Sequence, residues 1–274
     1  MHKHLPATEL ALERVSGAGR IAVEARHGKT VLTSLFQDGA AKIRLPSQRS
    51  AGLEAVLINT AGGVTGGDRL AWSAKAGPQT HLTLTTPAAE KAYRANSGEA
   101  RIEISLEAGA GASLFWLPQE TILFEGSSLR RRINAGIAAD ATLLIAECIV
   151  FGRTEMGEAL QQARYRDSWR ISRGGKLLQA EEFSLGPDAA RQLGRPALFD
   201  GAGAMASLIY VSPQAADLLD PLRALLGDRA GASTWDGRIL ARMLARDGFE
   251  LRQRLVPVLK LLNGQAELPK LWSI

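Results

Sequence analysis

The chain has 274 residues, 46% of them hydrophobic and 22% charged, which marks a soluble globular protein with enough apolar surface for one large core or two small ones. A single cysteine, Cys148, excludes an internal disulfide framework and a cysteine-based zinc site, and no apolar run is long enough to span a membrane. The net charge of +5 points to acidic partners or anionic surfaces, but the basic residues are not interleaved with aromatics as a nucleic-acid face requires, so neither nucleic acid nor membrane is expected as a partner.

Residues 1–19 read as a mobile N-terminal arm, in which His2 and His4 bind a metal ion loosely or belong to a disordered tail. The arm has no apolar signal region, so the expected compartment is the cytoplasm. Residues 20–211 carry a β pattern. Leu82 and Leu84 alternate with polar neighbours, and so do Ile102, Ile104 and Leu106. Leu129 and Ile133 share a strand face with Arg131 between them. Tyr165–Ser172 and Leu177–Phe183 flank Gly174-Gly175 as a hairpin. Turn residues recur at short intervals (Asp38-Gly39, Gly77-Pro78, Ser97-Gly98, Gly109 to Gly111, Glu125-Gly126) with no helix between the strands. That excludes a doubly wound α/β fold and favours an antiparallel sandwich, a barrel or stacked sheets.

Residues 212–274 change period and read as a helical segment packed on the β body, with a C-terminal tail. Ser212-Pro213 opens a first helix. Asp236 caps a second, with Ile239, Leu240, Met243 and Leu244 on one face. On that helix Arg238, Arg242 and Arg246 make an i, i+4, i+8 stripe, either a solvated face or a docking strip for an acidic partner. Gly248 breaks or kinks it, and Phe249–Leu262 continues in helical period with a bend at Pro257.

Enzyme motifs are absent. Gly62 and Gly67 imitate a phosphate loop, but Asp68-Arg69 follows where Lys and Ser/Thr are needed, and a carboxylate there repels phosphate. Gly201-Ala-Gly203 imitates a dinucleotide fingerprint but precedes a strand-like run. His27 and His81 are far apart and read as surface or satisfied histidines. Thr142–Phe151 is the most apolar β run. On a strand it sets Glu147 on one face with Leu143, Ile145 and Ile149, where an unpaired carboxylate costs several kcal/mol. The compensation is an ion pair with Arg131 or Arg153, a protonated state, a wet cavity or a cation.

Asn59–Trp72, with Gly62, Gly63, Gly66 and Gly67 in a tight irregular loop, resembles the glycine signature of the urease accessory protein D family (UreD, also called UreH). Further blocks fit in order: Leu84–Arg94, Trp116–Ile122, Phe151–Glu158 and Leu268–Trp272. Many members carry Gln-Ala-Ala-Thr-Lys after the Thr-Thr pair, where this chain has Pro87 and Glu90. The resemblance implies a stacked, β-helix-like sheet structure with a small helical part. It also implies a non-enzymatic urease maturation chaperone that works with helical accessory protein F and GTPase accessory protein G on urease apoprotein. Ni²⁺ would then be transient cargo, with no cofactor tightly bound. Asp68, Glu120, Asp140, Glu155 and Glu158 stand in or beside these blocks. Oxygen donors hold a first-row divalent ion less tightly than imidazole or thiolate. An acid-lined internal route for Ni²⁺ through Glu147 and some of Asp68, Glu120, Asp140 and Glu158 is therefore expected. The alternatives are a passive bridge between proteins, a β-fold enzyme with a cleft at Gly62–Asp68, Arg153, Glu155 and Glu158, and a basic module for RNA or membrane.

Overall fold

The computed structural model describes residues 13–47, 51–153, 157, 159–264 and 267–273. In chain order the strands are β1 (Ser16–Arg26), β2 (Lys29–Gly39), β3 (Ala41–Arg44), β4 (Leu53–Asn59), β5 (Arg69–Ala76), β6 (His81–Thr85), β7 (Glu90–Ala92), β8 (Ala100–Ala108), β9 (Ser113–Leu117), β10 (Thr121–Leu123), β11 (Ser127–Ile137), β12 (Thr142–Phe151), β13 (Ala163–Arg173) and β14 (Lys176–Leu185). A short helix α1 (Ala189–Leu193) follows, then β15 (Ala204–Val211), α2 (Leu219–Leu226), β16 (Ala230–Trp235), β17 (Arg238–Ala245) and α3 (Gly248–Leu262).

The strands build two stacked sheets. The first runs β14-β13-β11-β8-β5-β1-β2 and the second β16-β17-β15-β12-β9-β6-β4-β3, with β7 and β10 attached alongside β12. The chain alternates between them. In the second sheet β4, β6, β9 and β12 are parallel in-register neighbours. In the first, β5, β8, β11 and β13 are the same. Each pass is one coil of a two-sheet solenoid. Antiparallel pairs, β1 with β2 at one end and β13 with β14 at the other, close the stack. The β-helix-like expectation holds, with a parallel interior and antiparallel ends.

The two sheets differ in exposure, and the sequence pattern follows. On β8, alternate residues face the core and water. β12 is buried on both faces, because the first sheet covers one side and α2 and α3 the other. One core fills the space between the sheets, around Trp72, Trp116, Tyr165 and Trp169. A second lies between the second sheet and the helices, around Leu144, Met243, Leu255 and Trp272.

Two expectations need correction. The arm is shorter than residues 1–19, since Ser16–Gly19 already belong to β1; His2 and His4 lie outside the described residues. The helix expected from Asp236 is the hairpin β16–β17. Asp236 and Gly237 turn it, with φ of 48° and 69°, a left-handed pair that favours Asp-Gly. The helical spacing of Ile239, Leu240, Met243 and Leu244 misled because β17 is buried on one face and carries half-buried leucines on the other. Apolar residues on both faces erase the period of two. Gly248 breaks no helix: it is the first residue of α3, whose N-cap Asp247 accepts from Glu250 N at 2.8 Å.

The solenoid has two unlike edges. Residues 77–80, 109–112 and 138–141 lead from the first sheet to the second in tight turns. Residues 60–68, 86–99, 118–126 and 152–162 return from the second sheet to the first in longer connections, which contain β7 and β10.

Candidate functional site

The long-connection edge is built by backbone zipping. Val64 N donates to Lys91 O and Tyr93 N to Val64 O, each at 2.8 Å, tying the glycine loop to β7. β7 pairs with β10, and β10 with β12. Glycine is required at two points of this loop. Gly63 has φ of 156°, and a Cβ there would strike the Tyr93 ring. A Cβ on Gly66 would collide with the Ser97 carbonyl oxygen. Asp68 is buried and buckles the loop: Oδ1 accepts Val15 N and Oδ2 accepts Thr65 N, both at 2.8 Å. Asn59 joins the next coil, donating from Nδ2 to Gly63 O at 3.0 Å and to Glu90 Oε1 at 3.1 Å. Burial pushes the Glu90 carboxyl up to about 7, against the opposing hydrogen bond from Asn59.

Beneath this edge, between the sheets, lies a buried ionic triad. Arg131 on β11 pairs with Glu147 on β12 and, at 2.6 Å, with Asp167 on β13. All three side chains are almost wholly excluded from water. Arg131 Nη1 also donates to Thr121 Oγ1 at 3.3 Å, and Trp116 Nε1 to Glu147 Oε1 at 2.7 Å. Burial works against the Arg131 charge, but Asp167 and Glu147 outweigh it and hold its pKa above the ordinary value. Burial raises Glu147, Arg131 pulls it back, and the Asp167 charge raises it further, to about 7. Two carboxylates share one guanidinium, so the triad carries one more acidic than basic group.

The C-terminal tail closes the same edge. Arg252 on α3 donates from Nη1 to Gln119 Oε1 at 2.6 Å and to Glu120 Oε1 at 3.0 Å, and from Nη2 to Leu271 O. Its guanidinium lies over the Trp272 ring, 4.9 Å from the centroid, and Trp272 Nε1 donates to Leu117 O at 3.0 Å. The motif blocks of the sequence thus meet in space: glycine loop against β7, β7 against β10, and the tail under Leu117–Glu120.

The sequence matches the UreD urease accessory protein family over residues 15–273. The chain belongs to the UreD family. Among curated relatives, the urease accessory protein UreD of Mesorhizobium japonicum is 47% identical over 266 residues, covering 96% of this chain and 95% of that protein. UreD 1 of Brucella abortus is 45% identical over 269 residues, covering 97% and 96%. UreD of Agrobacterium fabrum is 45% identical over 262 residues, covering 96% and 92%. Members of this family are accessory proteins, so the chain is not itself a catalytic enzyme.

Set against this UreD fold, the acids expected to line a nickel route do not come together. Asp68 is the loop buckle and Glu120 is clamped by Arg252. Glu147 is in the triad. Asp140 is exposed on the opposite, short-turn edge. Glu155 and Glu158 lie outside the described residues. Among the described residues no three His, Cys, Asp or Glu side chains are placed to hold a metal ion. The intersheet void lined by Ile21, Leu57, Leu84, Leu106 and Trp116 is apolar and too small for water. Of the compensations open to Glu147, the ion pair with Arg131 is the one present, and Arg153 instead stacks on Phe124 at 4.5 Å.

Arg238, Arg242 and Arg246 form no helical stripe, because β17 carries the first two and ends before the third. Arg238 is buried, stacked on Trp235 and bonded to Gln179. Arg242 pairs with Glu181 and Arg246 with Asp247. His81 stays within its strand, 3.2 Å from Thr83 Oγ1. No helix among the described residues is long and apolar enough to cross a membrane.

Asp167 and Arg252 escaped the sequence reading. Asp167 had a signal, since it shares a strand face with Tyr165 and Trp169 and so had to point inward. Arg252 had none: its side-chain acceptors, Gln119 and Glu120, lie more than 130 residues away.

Proposed function

We propose that this chain is a scaffold of urease maturation. With accessory proteins F and G it binds urease apoprotein and supports GTP-dependent delivery of Ni²⁺ into the urease active site, in the cytoplasm. The observation that carries the reading is the UreD family match across residues 15–273, with the family's glycine, β7, β10 and C-terminal blocks gathered on one edge of the solenoid. Loop segments returned to one edge of a rigid stack are where a scaffold carries a binding surface. GTP hydrolysis falls to protein G, in keeping with Asp68-Arg69 where a phosphate loop needs Lys and Ser/Thr.

In this reading Ni²⁺ is cargo, and its coordination is completed by ligands from the partners. Asp68, Glu120 and Glu147 hold the edge in shape, and any weak contact of the ion with this chain is left to other acids. The test is reconstitution of urease apoprotein with F, G, GTP and Ni²⁺, with and without this chain, reading nickel bound per urease and ureolysis. Both should rise only when the chain is present. Full nickel loading without it would remove the proposal.

A further inference from the structure

The outer face of the first sheet carries a feature that only the parallel register creates. Arg69 on β5, Arg101 on β8, Arg130 on β11 and Arg166 on β13 are direct cross-strand neighbours in one row: Arg69 opposite Arg101, Arg101 opposite Arg130, Arg130 opposite Arg166. Strands sit about 4.8 Å apart, so four guanidinium stems span roughly 14 Å. Like charges directly opposite each other destabilise a sheet. One carboxylate relieves this row. Glu99 lies 3.7 Å from Arg101 and 3.1 Å from Arg130, and Arg69 and Arg166 make no ion pair among the described residues. Arg130 Nε is shielded from water yet has no aligned hydrogen-bond acceptor. Beside the row a shallow groove of about 290 Å³ opens between Arg130, Arg132, Arg166 and Arg170.

The neighbouring rows are balanced. Arg132 pairs with Glu103 and Arg170 with Glu182, each at 3.6 Å. The unbalanced row is also the one nearest the long-connection edge, since Arg69 follows Asp68 of the glycine loop directly.

We infer that this arginine row is a docking site for an acidic helix of a partner protein. Its spacing selects the partner's shape. Carboxylates at i, i+3, i+7 and i+10 on a helix rise by roughly 4.5–6 Å per step, close to the strand spacing. An extended chain repeats one face about every 6.7 Å and falls out of step. Nucleic acid fits less well: Glu103 and Glu182 stand in the next row, and no aromatic lies on the outward positions of these strands to stack a base. The inference rests on the sheet face alone and holds whichever partner supplies the helix.

The test is fluorescence anisotropy of a labelled helical peptide with glutamates along one face, titrated with the full chain at two salt concentrations. The comparison variants carry equal charge: Arg101→Glu with Arg166→Glu in the row, and Arg223→Glu with Lys260→Glu on the helices of the opposite layer. Row reversal should weaken binding at least about tenfold, neutral Arg101→Gln with Arg166→Gln by an intermediate factor, and the helix-layer pair by less than about threefold. All are surface positions, so unfolding midpoints should match wild type. Equal loss in both reversed variants would overturn the inference, and so would absence of peptide binding or tighter binding of a single-stranded oligonucleotide than of the peptide.

Discussion

The two edges of this solenoid solve the same problem, reversing the chain between sheets, in different ways. On the short edge, stacked turns bond to one another and little else: Gln79 N to Ala110 O, Gly109 N to Ala76 O, Ala138 N to Ala108 O, all at 2.8–2.9 Å. On the long edge, each connection is tied to its neighbours by side chains as well, through Asn59, Asp68, Glu90, Thr65 and Arg252. Turns hold a coil together, whereas a shell of interlocked connections presents a shape. Extra length and buried polar groups cost conformational freedom and desolvation, and a fold retains them where they serve something beyond the turn.

The comparison breaks first at the triad. Arg131→Met leaves Glu147 and Asp167 buried without their counter-charge and should destabilise by about 3–5 kcal/mol, read from urea unfolding midpoints. Replacing Arg131, Glu147 and Asp167 together by apolar residues should recover much of that loss. A next effect comes from Gly66→Ala, whose Cβ meets the Ser97 carbonyl. It should cost about 1–3 kcal/mol and shift the hydrogen exchange of residues 60–68 and 86–99 together.

Glu90 sharpens the contrast through pH. Its folded pKa lies above the ordinary carboxylate value, so the folded state holds a proton that the unfolded chain releases between about pH 4.5 and 7. The contribution is complete below that window and is lost as pH rises through 7. Glu90→Gln should therefore flatten the fall in stability between pH 5 and 8, with a change below about 3 kcal/mol, measured by unfolding at each pH. The smallest effect belongs to the other edge. Asp140→Ala, on an exposed turn, should stay within about 0.5 kcal/mol of wild type and leave urease activation unchanged.

The sequence made part of this legible. Period-two alternation placed the inward residues of β6, β8 and β11, and the Gly174-Gly175 turn placed the β13–β14 hairpin. The apolar run of β12 marked Glu147 as a carboxylate needing compensation, and the ion pair with Arg131 is one of the forms the sequence allowed. What stayed hidden depends on register between distant coils. Parallel pairing sets Arg69, Arg101, Arg130 and Arg166 side by side across about 100 residues of sequence, and no local pattern encodes that. The β16–β17 hairpin was concealed for another reason: Ile239, Ala241 and Met243 are buried on one face, but the half-buried face also carries apolar Leu240 and Leu244, so the sequence shows no clean alternation of apolar and polar residues.

Hydrogen exchange on the assembled complex probes the account most directly, comparing this chain alone with the chain bound to F and urease apoprotein. Protection should appear in residues 60–68, 86–99 and 118–126, leaving residues 77–80, 109–112 and 138–141 unchanged. Protection confined to the short turns, or spread equally over both edges, would contradict the assignment of partner binding to the long-connection edge.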